Sequence, residues 1–225
     1  METAPANFAM HQGTTERQWG FVESVEGYAR HGIRALTVRR SSIEEYGVTK
    51  AAKLISDADL KVLGVSRCAS LTEDDPAKIA KNHDENIRAI ALSAELQATN
   101  LAMISSGLPA DSKDLAGARS RARDAVAKLL PEARAAGVSL ALEAIHPMRA
   151  ASGCVWSTLG QANKVCEELG DGTGLIVDAY HVWWDPDLTA SIEAAKGRIV
   201  SFQISDWLRD TTAADGSDRG MPGDG

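Results

Sequence analysis

The stretch "SLALEAI" (residues 139–145) places one carboxylate, Glu143, inside an otherwise apolar run. Its length and composition are typical of a buried β-strand. An ionised carboxylate that is buried without a partner costs several kcal/mol, so Glu143 must be protonated, paired with a cation or bound to a metal. Which of these holds depends on whether neighbouring strands carry similar groups.

Two later runs repeat the pattern: "GLIVDAY" (174–180) carries Asp178 and "IVSFQIS" (199–205) carries Gln203, each near the carboxyl end of the run. Side chains alternate between the two faces of a strand, so each of these polar residues lies on one face and a uniformly apolar set lies on the other. The apolar faces suit packing against helices. The polar residues are therefore expected to share the opposite face of one sheet.

The whole chain alternates short apolar runs with amphipathic, helix-like stretches, which predicts a parallel sheet built from βαβ units. The candidate strands span residues 7–12, 33–39, 60–66, 100–106, 139–145, 174–180 and 199–205. We predict an α/β fold of the (β/α)₈ TIM-barrel type, with about seven strands and the last βα unit missing, in which residues 1–225 form a single incomplete domain. A doubly wound open sheet is the alternative, but no G-x-G-x-x-G motif follows the first strand.

Oxygen-bearing side chains at the carboxyl ends of three adjacent strands predict a functional site, because barrel enzymes place their chemistry at that end. Carboxylate and amide oxygens from Glu143, Asp178 and Gln203 suit a divalent cation such as Mn²⁺ or Mg²⁺. The structural alternative is a polar plug of the barrel, in which backbone groups or buried water satisfy each side chain.

Composition narrows the classes of function. The chain has 225 residues with 24 lysines and arginines against 31 aspartates and glutamates, a net charge of −7. This acidic balance argues against general binding to nucleic acid or anionic membranes. No signal peptide and no apolar run approaching about 20 residues is visible, so a cytoplasmic location is expected. The three cysteines have no metal-type spacing and are expected to be buried thiols.

Three segments, "LALEAIHP", "LIVDAYHVWWDP" and "FQISDW", resemble the sugar phosphate isomerase/epimerase superfamily, the xylose isomerase-like barrels. The resemblance implies a divalent-metal-dependent isomerase or epimerase that transfers a proton alpha to the carbonyl of a keto-sugar. Mn²⁺ is the expected metal, with Mg²⁺, Co²⁺ or Zn²⁺ as alternatives. The matching metal ligands are Glu143, Asp178 and Gln203, whereas the family's fourth ligand, a Glu on the eighth strand, has no counterpart here.

The resemblance also implies that His181 and Arg209 bind substrate oxygens. Glu143 and His146 are the candidate catalytic groups, since His146 follows a strand end and a neutral imidazole there could act as a general base.

Two further substrate contacts are expected from position alone. His11 lies at the end of the first strand, over the barrel mouth, and Trp183 follows the sixth strand, where an aromatic ring could bind a sugar face. The Gly-rich "DRGMPGDG" (218–225) adds Arg219 beside glycines that permit a close approach to a ligand.

Two alternatives remain open. The alpha subunits of C-glycoside deglycosidases belong to the same superfamily and resemble "EAIHP", which implies a lyase acting on 3-oxo-C-glycosides. A truncated barrel could instead be a non-catalytic binding module. In either enzymatic case the partner is a small carbohydrate, and exposed edges of strands one and seven would favour a second copy or a partner subunit.

Overall fold

The computed structural model describes residues 8–210 and 218–225. Seven parallel strands form one curled sheet whose order follows the chain, so that each strand pairs with the next. The strands are β1 (Met10–His11), β2 (Ala35–Arg39), β3 (Lys61–Ser66), β4 (Asn100–Met103), β5 (Ser139–Glu143), β6 (Thr173–Asp178) and β7 (Ile199–Gln203). The predicted parallel sheet of about seven strands is confirmed in the described residues.

In residues 8–210 and 218–225, eight α-helices connect the strands, because parallel strands need a crossover between the end of one and the start of the next. They are α1 (Phe21–Arg30), α2 (Arg40–Tyr46), α3 (Val48–Asp57), α4 (Pro76–Glu95), α5 (Leu115–Ala136), α6 (Leu159–Leu169), α7 (Ala179–Val182) and α8 (Leu188–Ala194). None of these described helices combines the length and hydropathy that a membrane crossing requires.

The two faces of the sheet separate as strand alternation predicts. Leu140, Leu142 and Leu175 are fully buried in the main core shared with the helices. Ala141 and Ile176 instead belong, with Ala102, to a small separate apolar cluster. Ala141 lies two residues before Glu143, and Ile176 two residues before Asp178, so each shares a face of its strand with the carboxylate that follows it. The small cluster therefore lies on the inner face of the sheet, beneath Glu143 and Asp178.

The outer face of β7 differs from the expectation. Val200, Phe202 and Ile204 were expected to pack against helices, yet their exposed fractions are 36%, 63% and 57%. The helix before β7, α8, packs against α6. Within the described part of the chain, the outer face of β7 is therefore only partly covered.

Several strands end earlier than predicted. The runs 100–106 and 139–145 leave the sheet at Met103 and Glu143. After Glu143 the backbone N–H of Ile145 donates to the carbonyl of Trp156 at 3.0 Å, so it bonds to a loop instead of a neighbouring strand. The carboxyl ends are therefore surrounded by loops that can carry functional side chains.

Candidate active site

Three buried side chains, Glu143, Asp178 and His181, bring one potential ligand atom each to within 4.8 Å of one another. Glu143 ends β5 and Asp178 ends β6. Glu143 pairs with Ile176, two residues before Asp178, so the two carboxylates lie on the same face of the sheet at neighbouring positions. His181 follows Asp178 by three residues, in α7, so it lies above the same point. The fold thus brings together two predicted metal ligands and one predicted substrate residue.

Two hydrogen bonds fix the carboxylate of Asp178. Its Oδ1 accepts the backbone N–H of Tyr180 at 2.9 Å, which caps the first turn of α7. Its Oδ2 accepts from Nη1 of Arg219 at 2.9 Å. One oxygen of Asp178 is thereby held by the fold, while the other faces the cluster.

Arg219 reaches the cluster from the carboxyl-terminal segment. Besides binding Asp178, its Nη2 lies 3.0 Å from Nε2 of His181 and its Nη1 donates to Oγ of Ser205 at 3.1 Å. The guanidinium carbon lies 4.2 Å from the ring centroid of Tyr180. Arg219 therefore places a positive charge between Asp178 and His181, where a cation would bind.

The loop that carries Arg219 is tied to the end of β7. Asp206 and Gly220 exchange two backbone hydrogen bonds, of 3.0 and 2.9 Å. Oδ2 of Asp206 also accepts the backbone N–H groups of Gly223 and Gly225, at 2.6 and 3.0 Å. These bonds hold the segment against β7 and fix the direction from which Arg219 enters.

Burial dominates the protonation of the cluster. It raises the pKa of Glu143 to about 8, an effect increased by the adjacent Asp178 and opposed by Arg219 and Arg67. Burial, together with Arg219, lowers the pKa of His181 to about 3. At neutral pH Glu143 consequently retains a proton, and His181 is an uncharged imidazole that can act as a ligand.

His146 lies beside the cluster, and its orientation restricts its chemistry. Its backbone N–H lies 3.4 Å from Nδ1 of His181. Its own Nδ1 accepts the backbone N–H of Met148 at 3.3 Å. Partial burial lowers its pKa, so at neutral pH the ring is uncharged and carries its proton on Nε2. In this orientation His146 presents a proton donor, whereas the sequence suggested a general base.

His11, at the end of β1, faces the same cluster. Its Nδ1 accepts the backbone N–H of Gly13 at 3.0 Å. Burial lowers its pKa to about 4, and Arg39 and Arg219 act in the same direction while Asp178 opposes them. His11 is therefore a neutral group on the wall of the mouth, at the predicted position.

The remaining predicted residues lie at different distances from the cluster. Gln203 is half-buried and is the direct neighbour of Asp178 in the pairing of β6 with β7, so its role as a ligand stays a prediction. Trp183 is 54% exposed at the rim. Arg209 is exposed, and among the described residues it is Arg219 that reaches Asp178.

The sequence pointed to Arg219 only through its neighbouring glycines, and it indicated no role in the site for Tyr180 or Trp207. The available signals were weak: Tyr180 closes the predicted strand 174–180, and Trp207 stands in the quoted "FQISDW". Neither indicates a ring directed at the mouth. The position of Arg219 depends on how the loop after β7 folds back, which no local pattern encodes.

Comparisons with known proteins agree with this geometry. Residues 22–225 match the model of the xylose isomerase-like TIM barrel family. The chain belongs to this family. No curated protein sequence matches the chain.

Solved structures extend the comparison of this xylose isomerase-like barrel. A protein from Sinorhizobium meliloti 1021 is 40% identical, with a TM-score of 0.94 over 98% of this chain and 80% of that chain. The zinc-bound IolI protein, 18% identical, has a TM-score of 0.80 over 96% of this chain and 78% of that one. A D-psicose 3-epimerase solved with D-fructose is 16% identical, with a TM-score of 0.75 over 91% and 76%. The last two likenesses show the fold.

The cluster of this xylose isomerase-like barrel fits a divalent metal. Ligands at about 2.1 Å from an ion are separated by about 3.0 Å when adjacent and about 4.2 Å when opposite. The three atoms, within 4.8 Å of one another, need only a small contraction to reach these separations. Two carboxylates and a neutral imidazole also suit Mn²⁺ or Zn²⁺ better than Ca²⁺.

We predict that metal affinity in this barrel rises with pH. Below pH 8 a metal must displace the proton of Glu143, whose pKa is raised to about 8, whereas above about pH 3 His181 is a neutral imidazole with one ring nitrogen free to bind a metal. The Kd for Mn²⁺ should therefore fall about tenfold per pH unit between pH 6 and 8, then level off. Titration calorimetry in two buffers at pH 7 should show release of about one proton. A Kd independent of pH would contradict the protonated Glu143.

Proposed function

We propose that this xylose isomerase-like barrel is a divalent-metal-dependent sugar isomerase or epimerase, which transfers a proton alpha to the carbonyl of a keto-sugar. The observation that carries the proposal is the buried cluster of Glu143, Asp178 and His181 at the carboxyl ends of β5 and β6. Buried carboxylates with strongly raised pKa values mark sites of proton transfer more often than structural positions.

Glu143, Asp178 and His181 would hold the metal, with Gln203 next to them on β7. The bound ion, Mn²⁺ by preference, would polarise the substrate carbonyl and stabilise the negative charge that develops on its oxygen.

Glu143 is the group that removes the alpha proton in this proposal. Its burial raises the proton affinity of the carboxylate, an effect that a bound cation would oppose. His146 donates from Nε2 to a substrate oxygen, since its Nδ1 is occupied by the N–H of Met148. Return of the proton by Glu143 to the neighbouring carbon gives an isomer. An epimer requires a second proton donor, such as a water molecule, on the opposite face of the substrate.

Arg219 orients the substrate oxygens. The guanidinium offers several N–H donors in one plane, and two of its nitrogens already bind Asp178 and His181. A shift of Arg219 toward a substrate oxygen would leave Asp178 Oδ2 for the metal. His11, neutral on the opposite wall, is placed to contact the sugar hydroxyls.

The test is solvent-deuterium incorporation. Protein treated with chelator and then loaded with Mn²⁺ is incubated in D₂O with a panel of ketoses, and NMR follows deuterium at the carbon alpha to the carbonyl. We expect incorporation with at least one ketose, its loss on chelation and its return with Mn²⁺. Release of aglycone from 3-oxo-C-glycosides without incorporation into any ketose would favour the lyase. If the protein binds no divalent metal, the remaining interpretation is the non-catalytic binding module.

A further inference from the structure

An aromatic rim borders the candidate active site; its members are His146, Tyr180, Trp183 and Trp207. Trp207 is its centre, with ring centroids 4.4 Å from His146, 4.9 Å from Tyr180 and 5.9 Å from Trp183. His146 and Trp207 are stacked at 27°. These spacings are those of favourable aromatic pairs, so the four rings form one continuous surface.

The aromatic rim begins where the metal-ligating cluster ends. Tyr180 lies under the guanidinium of Arg219, which binds Asp178. The backbone N–H of His146 points to His181. Tyr180 is itself only 2% exposed and supports the other rings from beneath. A substrate held at the cluster would therefore touch His146 first, and any group attached to it on this side would lie along Trp207.

The outer end of the aromatic rim is open. Trp183 is 54% exposed, although its neighbour Trp184 is half-buried and donates its Nε1–H to the carbonyl of His181 at 2.9 Å. The hydrogen bond from Trp184 fixes the loop after β6, and therefore also fixes the backbone of Trp183. An exposed indole on a fixed backbone, continuous with three further rings, is a preorganised apolar surface.

We propose that the aromatic rim is a subsite for an apolar, planar group carried by the substrate. On the proposed function, on which this inference rests, the substrate is then a glycoside with an aryl substituent and not a free monosaccharide. The reacting sugar occupies the cluster, and the aryl group stacks along Trp207 and Trp183. The rings of Trp207 and Trp183 extend beyond Tyr180, and together they offer more aromatic surface than a single reacting sugar can cover.

The test compares two stable glycosides that differ only in the aglycone, 4-nitrophenyl β-D-glucoside and methyl β-D-glucoside. Neither has a carbonyl that could react, so calorimetry on the metal-loaded full chain measures binding without turnover. We expect the aryl glycoside to bind about tenfold more tightly, the size of one stacked aromatic pair together with its burial.

The variants Trp183→Ala and Trp207→Leu should remove most of this preference, measured for each variant as the ratio of its two Kd values. Tyr46→Ala is the matched control, because Tyr46 is a partly exposed aromatic (37%) that packs against Phe21, away from the rim. It should keep the full preference.

Equal affinities for the two glycosides, no measurable binding of the aryl glycoside, or a preference that survives both rim variants would overturn the subsite. The outcome is separable from that of the proposed function. Deuterium exchange into free ketoses without an aryl preference would remove the subsite alone. An aryl preference in a protein that exchanges no proton would leave the subsite and remove the enzyme.

Discussion

Glu143→Gln should abolish solvent-deuterium exchange, with a loss of about 10³-fold or more. The substitution removes a general base, an effect of about 10²–10⁴-fold, and also replaces an anionic metal ligand by a neutral amide. Exchange by NMR and Mn²⁺ binding by calorimetry measure the two losses separately. Activity within tenfold of the wild type would assign the proton transfer to another group.

The stability of the same variant supplies the control, because loss of activity must not reflect unfolding. In the folded protein the pKa of Glu143 is raised from 4.5 to about 8, so the folded state binds this proton more tightly than the unfolded chain. Wild-type stability before metal loading therefore falls as pH rises from 4.5 to 8, and glutamine removes this loss. We expect similar Tm values near pH 5 and an equal or higher Tm for the variant at pH 8.

Arg219→Gln should lower kcat/KM by about 100-fold, whereas Arg209→Gln should change it by less than threefold. Arg219 lies 2.9 Å from the carboxylate of Asp178 and beside His181, at the point where the proposal has it orient a substrate oxygen. Loss of a hydrogen bond to a charged group costs about 1.5–3 kcal/mol. Arg209 is exposed, and its removal affects only solvated charge.

The two arginine variants form a matched pair, because both exchange a guanidinium for the same amide in the segment after β7. Steady-state kinetics on the ketose identified by deuterium exchange gives both ratios. The reverse order, with Arg209 essential and Arg219 dispensable, would support the spacing implied by family resemblance over the contacts seen in the structure.

The family resemblance implies that Arg209 binds substrate oxygens, a role that stays a prediction, and the structure adds Arg219 at the cluster. Arg209 was matched by its distance in sequence from Gln203, and such a count takes no account of segments that return to the strand. In the structure the segment returns to β7 through the paired backbone bonds of Asp206 and Gly220. A long-range return of this kind depends on bonds between residues far apart in sequence, which a count along the chain cannot anticipate.

The role of His146 shows a similar limit. Its place after β5 could be predicted from "EAIHP". Which ring nitrogen carries the proton depends on the N–H of Met148, and the ring's direction depends on Trp207. These contacts are set by packing, so the sequence could name the residue but not its chemistry.

The sequence by itself determined the strand-helix alternation, the inner faces of β5 and β6 and the convergence of Glu143 and Asp178. Each of these follows from local periodicity, because alternation along a strand and the parallel order of βαβ units leave few arrangements. Only the tertiary structure decided three features. His181 lies beside the two carboxylates, Arg219 contacts both Asp178 and His181, and four aromatic rings border the mouth of the barrel. Those features arise where separate loops meet, and their geometry is set by burial and hydrogen bonding between parts of the chain that have no local pattern in common.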